Sequence, residues 1–528
     1  MVVSSFFQKL LAVYEAEERK TSAPPGSVVE VTNIASSLAV IYEKIRNSLS
    51  IADDRLLRRG AIERILNRRL TLGNGKKEEM AADVIRELIW ARYLKNNAVS
   101  QTLIAEVQTI INRYFGLFEK IRRDAGVNLK KSRDNVDFFL AIASAEIDKK
   151  IVPARKDDAW IGLMYQLMRQ FCPLSFSSHE ECDVQVYLAC QKALFSADAA
   201  TLYHLLAKLY YPGFFENASP DPYVLANYQK VKKELASILH HSRSEKVFLF
   251  VKRKLAPFIL LRQTLEANWE KRAEFLSDPE KLKILVRQKT EENYQKQGER
   301  LSRIVNRSIV YLLLTKMVFL LILEAPLDKA LTGRVNTIPL LINLFFPPTL
   351  LFTFGKNVRL PDRANTDKIV AMADAIVYED SPAIFVSPEP PKATKIMKLV
   401  FRIIYLATFA VSFGGVLWVL KRLSFSLASG GIFFFFVSVV AFFAYLIRGK
   451  TKDLVVTTQH EGAADLLIDF FSLPFLKVGQ ILSSSIAQVN FIVFLFDFIL
   501  EAPLKILLEI LEQWIKFVRE KKEEISIQ

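Results

Sequence analysis

Cysteine is almost absent: there are three in 528 residues, Cys172, Cys182 and Cys190. That is too few, and odd in number, for a disulfide framework, so the soluble part is expected in a reducing compartment. With His179 they crowd soft ligands into one stretch, spaced C-x6-H-x2-C-x7-C. Structural zinc uses tighter half-sites, so thiols buried in helices are the expectation. Catalytic signatures are missing as well. HEGAA at His460 lacks the second histidine of a zincin, His240-His241 reads as a polar helix end, and RGKT (Arg448 to Thr451) is no phosphate loop, because the first glycine of that motif falls at Ala444. No dinucleotide fingerprint, nucleophile elbow or kinase set is present. The reading therefore assigns no catalytic residue, cofactor or metal. MVVSSFFQKLLAVYEAEERK has neither the basic n-region nor the long apolar core of a signal peptide, so no outward targeting is expected from it.

What the chain has is grease and positive charge in different places. Hydrophobic residues make up 51% and charged residues 24%, with a formal charge of +15 and 39 Phe against 5 Trp. A mean hydropathy of +0.19 with that many charges requires concentrated apolar segments. Apolar residues recur at helical spacing up to about Arg307, with no period-two alternation, so the expected fold class is all-α: a multipass helical membrane protein with a large N-terminal cytoplasmic helical domain. The expected organisation is an N-terminal amphipathic helix (1–20), a cytoplasmic helical region (28–307, with a break near 173–180), a first apolar hairpin (308–354), a cytoplasmic linker (355–398), a transmembrane hairpin (399–447), a cytoplasmic connector (448–480) and C-terminal apolar and amphipathic helices (481–528). SDPE (Ser277 to Glu280) has the ingredients of a helix start: an oxygen to accept free amides, a proline with no donor to waste, and a carboxylate at the positive end of the dipole.

One helix in the polar region is very basic, with Arg55, Arg58, Arg59, Arg64, Arg68 and Arg69 interleaved with Leu56, Ile62, Ile65, Leu66 and Leu70. A solvated face of an amphipathic helix explains it; contact with anionic lipid headgroups, at about 1 kcal/mol per basic residue near the leaflet, is the functional alternative. No aromatics interleave, which argues against single-stranded nucleic acid as a partner.

Leu399 to Leu420 is about 22 residues with the single charge Arg402, enough to cover roughly 33 Å against a hydrocarbon core of about 30 Å. Phe425 to Ile447 carries no charge and should also span, and Ala410 with Gly414 allows close helix approach. Ser308 to Leu327 is nearly balanced for insertion, since Lys316 costs about 2.5 to 3.5 kcal/mol and the apolar residues return about 3 to 6. Thr337 to Phe354 carries Asn343 and Pro347-Pro348, so if it spans it is kinked or broken. Lys296, Arg300, Arg303, Arg307, Lys356, Arg359 and Arg363 flank the first hairpin, and Lys392, Lys395, Lys398, Arg448, Lys450 and Lys452 the second. The turns between hold fewer basic residues, so the charge rule puts the outer ends, with the N-terminus, linker and C-terminus, in the cytoplasm at the plasma membrane.

ILEAPL occurs at Ile322 to Leu327 and again at Ile499 to Leu504. The proline marks a kink or fresh helix start, where Glu324 and Glu501 can accept the next turn's free amides. The functional alternative treats Lys316, Glu324, Asp497 and Glu501 as intramembrane ionisable groups on an ion or proton path. The expected function is a membrane scaffold or adaptor whose partners are the lipid bilayer and a protein bound by the cytoplasmic helices; the rival is a transporter or channel component using those ionisable groups.

Overall fold

In a computed structural model the chain is all-helical, 85% helix, with no β-strand among the described residues. The structure describes residues 2–19, 40, 43, 54–72, 79–126, 128–333, 335–356, 361–386, 394–451, 454–456, 463–488 and, near the end, 510, 513, 514, 517 and 518. It divides into two compact units, Ser4–Lys252 with Phe491–Gln528, and Arg253–Asn490 with Met1–Val3. The first unit's helices end at Lys252, and the helices after Arg253 pack on the long helix that continues into the apolar segment.

The first unit contains α1 (Ser5–Glu18), α2 (Asp54–Leu72), α3 (Met80–Trp90), α4 (Gln101–Ala125), α5 (Leu129–Ile151), α6 (Arg155–Gln170), α7 (His179–Phe195), α8 (Ala199–Tyr210), α9 (Pro212–Glu216), α10 (Pro222–Leu239) and α11 (Ser244–Lys252). Side-chain oxygens start many of them: Ser4, Ser100, Asn128, Ser178, Asp198 and Asp221 each accept an amide hydrogen from the first turn, each such cap contributing about 1 kcal/mol. Val84, Ile85, Leu88, Ile111, Tyr114, Leu117, Leu140, Leu206 and Leu235 meet in one core. The N-terminal helix α1 belongs to this unit: it buries Phe7, Leu10 and Tyr14, with Phe7 edge-on to Trp160 and the Tyr14 hydroxyl accepting from Trp160 Nε1 at 2.8 Å.

The second unit contains α12 (Leu255–Ala267), α13 (Arg272–Ser277), α14 (Pro279–Phe319), α15 (Ala325–Thr332), α16 (Thr337–Lys356), α17 (Arg363–Tyr378), α18 (Lys395–Arg422), α19 (Leu427–Thr451) and α20 (Ala463–Gln488). The SDPE start forms as read: Asp278 Oδ1 accepts from Glu280 N–H at 3.1 Å and Pro279 opens α14. Helix α14 runs through a π-helical turn, Leu320–Glu324, into α15, so that Pro279–Leu331 is a single 53-residue helical stretch. Gly333 ends it at φ 74°, the left-handed conformation in which glycine carries no Cβ penalty.

Helix α16 remains helical through Pro347 and Pro348, not broken at them. Residues 355–398 are more than a linker. They contain α17, which buries Ile369, Met372, Ala373 and Ile376 on one helical stripe against the polar half of α14 and α12. Likewise α20 begins at Ala463, inside the expected connector, and packs closely on α19: a Cβ on Gly479 would lie 2.1 Å from the Ser438 carbonyl oxygen. Three stretches, Pro279–Leu331, Leu399–Arg422 and Leu427–Ile447, are long and apolar enough to cross a membrane.

Candidate functional site

A buried polar cluster among the apolar helices of the second unit is organised by the π-helical turn. Pro326 has no N–H, and its ring would crowd the carbonyl four residues back in a regular α-helix. The chain widens there instead, and Ala325 N–H donates to Leu320 O, the i→i+5 pattern of a π-turn. In an α-helix Lys316 and Glu324, eight apart, are about 80° out of register; the looser winding removes much of that offset. The two side chains pair at 3.2 Å, both fully buried.

The pair is closed on its remaining sides. Asn343 of α16 donates through Nδ2 to Glu324 Oε1 and to the Ser429 carbonyl at the start of α19, at 3.1 Å for the latter. Lys316 Nζ sits 3.8 Å from the ring centroid of Phe436 and 5.4 Å from that of Phe319, a cation–π environment in desolvated surroundings. One polar knot thus ties α14, α16 and α19 together. Asn343 Oδ1 and the Ser438 hydroxyl are buried without a hydrogen-bond partner in the structure. Nearby in sequence, Asp328 Oδ2 accepts from Asn336 N–H at 3.1 Å and closes the turn between α15 and α16.

Two expectations change here. Glu324 does not cap the next helix: no side-chain bond to its amides is present, because the carboxylate turns to Lys316 and Asn343. Asn343, read in the sequence only as a polar interruption, is a full member of the cluster. The spacing gave no sign of either, since α-helical periodicity places Lys316 and Glu324 on different faces. Asp497 and Glu501, with the second ILEAPL and His460, lie outside the described residues.

The six arginines of α2 each meet a carboxylate of their own unit. Arg55 pairs with Asp157 (2.5 Å), Arg58 with Asp148 (2.6 Å), Arg59 with Asp198 (2.8 Å), Arg64 with Glu43 (3.1 Å), Arg68 with Glu87 (2.5 Å) and Arg69 with Asp83 (3.1 Å). Glu87 is 1% exposed and receives both Arg68 and Arg69. The basic face is therefore an internal ion-pair seam in which the guanidiniums meet carboxylates of α3, α5 and α6, of Glu43 and of Asp198, the N-cap of α8. A cavity of about 90 Å³ beside it is lined by Arg55, Arg58, Arg59, Asp148, Asp157 and His204 among others, with charges of both signs. Burial raises the Asp148 carboxyl despite Arg58, and lowers His204 to about 3, with Lys149, Lys208 and Arg113 adding to the effect. Deeper in the unit, buried Arg113 donates to Glu146 and to the Phe214 carbonyl (2.6 Å for the latter), and the Tyr114 hydroxyl donates to Glu146 at 2.9 Å.

The thiols differ from expectation. Only Cys190 is buried; Cys182, in α7, and Cys172, in the loop before it, are partly exposed. Among the described residues no group of His, Cys, Asp and Glu is arranged to hold a metal ion. No family model, curated protein or solved structure matches this chain.

Proposed function

We propose that the chain is a multipass integral membrane protein whose N-terminal helical unit acts as a scaffold or adaptor on the cytoplasmic side. One observation carries the membrane part: the apolar helices of the second unit bury polar side chains and expose large apolar ones. Lys316, Glu324, Asp328, Asn343, Ser429 and Ser438 are buried, while Val310, Tyr311, Leu314, Leu321, Ile322, Ile403, Leu406, Leu417 and Trp418 are exposed. Only 17% of the apolar stretch of α18 is buried. A contiguous apolar surface of this kind is unstable in water and suits hydrocarbon. The basic flanks of both hairpins support the cytoplasmic assignment.

The scaffold reading is supported by the first unit's build, in which Arg58–Asp148 braces helices distant in sequence and Arg68–Glu87 and Arg113–Glu146 brace consecutive ones. On its surface Leu209, Tyr210, Tyr223 and Leu249 are exposed and Tyr211 stacks on Tyr223; aromatics of this kind are common anchors at protein interfaces. The test is purification of the full chain in mild detergent, with topology reporters at the N-terminus, the Lys421 loop and the C-terminus. The proposal expects a stoichiometric protein partner and the loop opposite both termini. A chain monodisperse without detergent refutes the membrane part, and repeated recovery of the bare protein refutes the scaffold.

A transporter or channel component is the second reading, favoured by the buried Lys316–Glu324 pair at a π-turn, a feature frequent at functional sites. It expects ion flux in proteoliposomes that Glu324→Gln abolishes; flux unaffected by that change removes Glu324 from the path.

A further inference from the structure

The arginines of α2 all meet carboxylates of their own unit, but a second row of cations does not. Lys296, Arg300, Arg303 and Arg307 follow one another along α14 at spacings of four, three and four residues, which puts them on one helical face. The opposite face carries Leu301 and Val305, buried in one cluster with Leu351 of α16 and Val440 and Ile447 of α19. All four cations are exposed. Lys296 and Arg303 pair with Glu292 and Glu299 of the same helix at 3.9 and 3.6 Å, long exposed contacts that hold weakly. Among the described residues no carboxylate lies in ion-pair range of Arg300 or Arg307. The same face then changes character within one turn. It continues through Tyr311, Leu314, Val318 and Leu321, which are 72%, 58%, 56% and 68% exposed, while Lys316, the one charge of that stretch, is buried on the other side. A face bathed in water throughout has no reason to switch from cations to bare apolar side chains at one level, whereas a face passing from headgroups into hydrocarbon does.

Resting on the membrane reading above, we propose that Arg300, Arg303 and Arg307 form a docking surface for anionic phospholipid headgroups of the leaflet that α14 enters. The dimensions fit. At 1.5 Å per residue the three arginines span about 10 Å, the headgroup layer on each side of the hydrocarbon is about 5–8 Å deep, and the screening length at physiological salt is about 8 Å. Measured from the switch between Arg307 and Val310, Arg307 and Arg303 fall within the headgroup layer and Arg300 within one screening length of it, with Lys296 at the rim of the field. Charge and position together fix the occupant. Guanidinium forks match phosphate oxygens in pairs, the acyl chains of the same lipids lie against Leu314 and Val318 further along the face, and Tyr311 supplies the amphipathic ring that favours the interface. An acidic protein or a nucleic-acid backbone would satisfy the arginines and leave the apolar half of the face bare. Headgroup contact, expected from the sequence at α2, falls instead to α14.

The experiment mixes the full chain in mild detergent with equimolar phosphatidylglycerol and phosphatidylcholine of identical acyl chains, separates protein-bound from micellar lipid and counts both by mass spectrometry. One basic residue at an anionic surface favours the anionic lipid about fivefold. The wild-type chain should therefore retain phosphatidylglycerol over phosphatidylcholine by about fivefold or more at low salt, and lose most of that preference by about 0.5 M salt. Arg300→Gln/Arg303→Gln/Arg307→Gln should cut the preference by about fivefold or more, while Arg300→Lys/Arg303→Lys/Arg307→Lys, which keeps the charge, should preserve most of it. Glycerophosphoglycerol, the same headgroup without chains, should not displace the bound lipid when added in excess. Equal retention of the two lipids by the wild-type chain, an undiminished preference in the glutamine variant, or displacement by the chainless headgroup overturns the proposal. Each of these leaves the membrane reading standing, whereas a chain monodisperse without detergent removes both. Because the preference and its salt dependence are read on the wild-type chain, a folding defect in a variant leaves the test intact.

Discussion

Replacing Lys316 by Met is the sharpest perturbation of the apolar unit. The substitution conserves length and bulk but leaves Glu324, 1% exposed, with Asn343 as its remaining donor. At the observed 3.2 Å separation the direct attraction is about 5 kcal/mol for an effective dielectric of about 20. Removing one partner of a buried pair generally costs about 3–5 kcal/mol, because the other charge is stranded, whereas removing both is close to neutral. The single variant Lys316→Met should therefore lose about 3–5 kcal/mol, a hundredfold or more in the folding equilibrium. The double variant Lys316→Met/Glu324→Gln, in which the amide oxygen still accepts from Asn343, should recover to within about 1 kcal/mol of the parent. Unfolding in detergent mixed micelles, followed by helicity, measures both and closes a double-mutant cycle. If the single and double variants are equally damaged, or neither differs from the parent, the knot does not hold α14, α16 and α19 together and the reasoning fails.

Other outcomes follow from named contacts. Glu87→Ala strands the guanidiniums of Arg68 and Arg69 and should cost the first unit about 3 kcal/mol, read as a lower thermal midpoint. Asn365, fully buried, donates to Tyr294 Oη and Leu454 O and accepts from Val456 N–H, each at 2.8 Å; Asn365→Leu should accelerate hydrogen exchange at the Val456 amide by roughly tenfold or more, and unchanged protection there counts against the clasp. Gly479→Leu should destabilise the α19–α20 crossing by at least about 1–3 kcal/mol, seen as early loss of monodispersity on heating, while a neutral effect means the helices are not in such close contact. His204 is held neutral in the fold, lowered to about 3 by burial. The unfolded chain therefore takes up the extra proton, and the stability associated with it is complete above about pH 6.5 and lost as pH falls toward 3. His204→Gln should flatten the acid limb by up to about 1.4 kcal/mol per pH unit, and identical acid limbs for the two proteins would exclude this role.

Local chemistry was readable in advance and long-range pairing was not. The all-helical character follows from apolar periodicity, the Asp278–Pro279 start from capping chemistry, and the two long apolar stretches around Phe409 and Phe436 from composition alone. The stripe of α17 was obscured because its flanks are rich in proline, although Ile369, Met372, Ala373 and Ile376 carry the helical period. The arginines of α2 were visible, but their partners lie 21 residues away at Glu43 and 102 away at Asp157, a separation at which sequence spacing carries no pairing information. Lys316 and Glu324 were singled out as ionisable groups in grease, yet only the winding at Pro326 decides that they face one another and that Asn343 completes the knot. Sequence sets which segments must leave water, since transfer free energy sums residue by residue along the chain. The fold alone decides which charges meet, because a pair energy depends on distance and burial that no single segment contains.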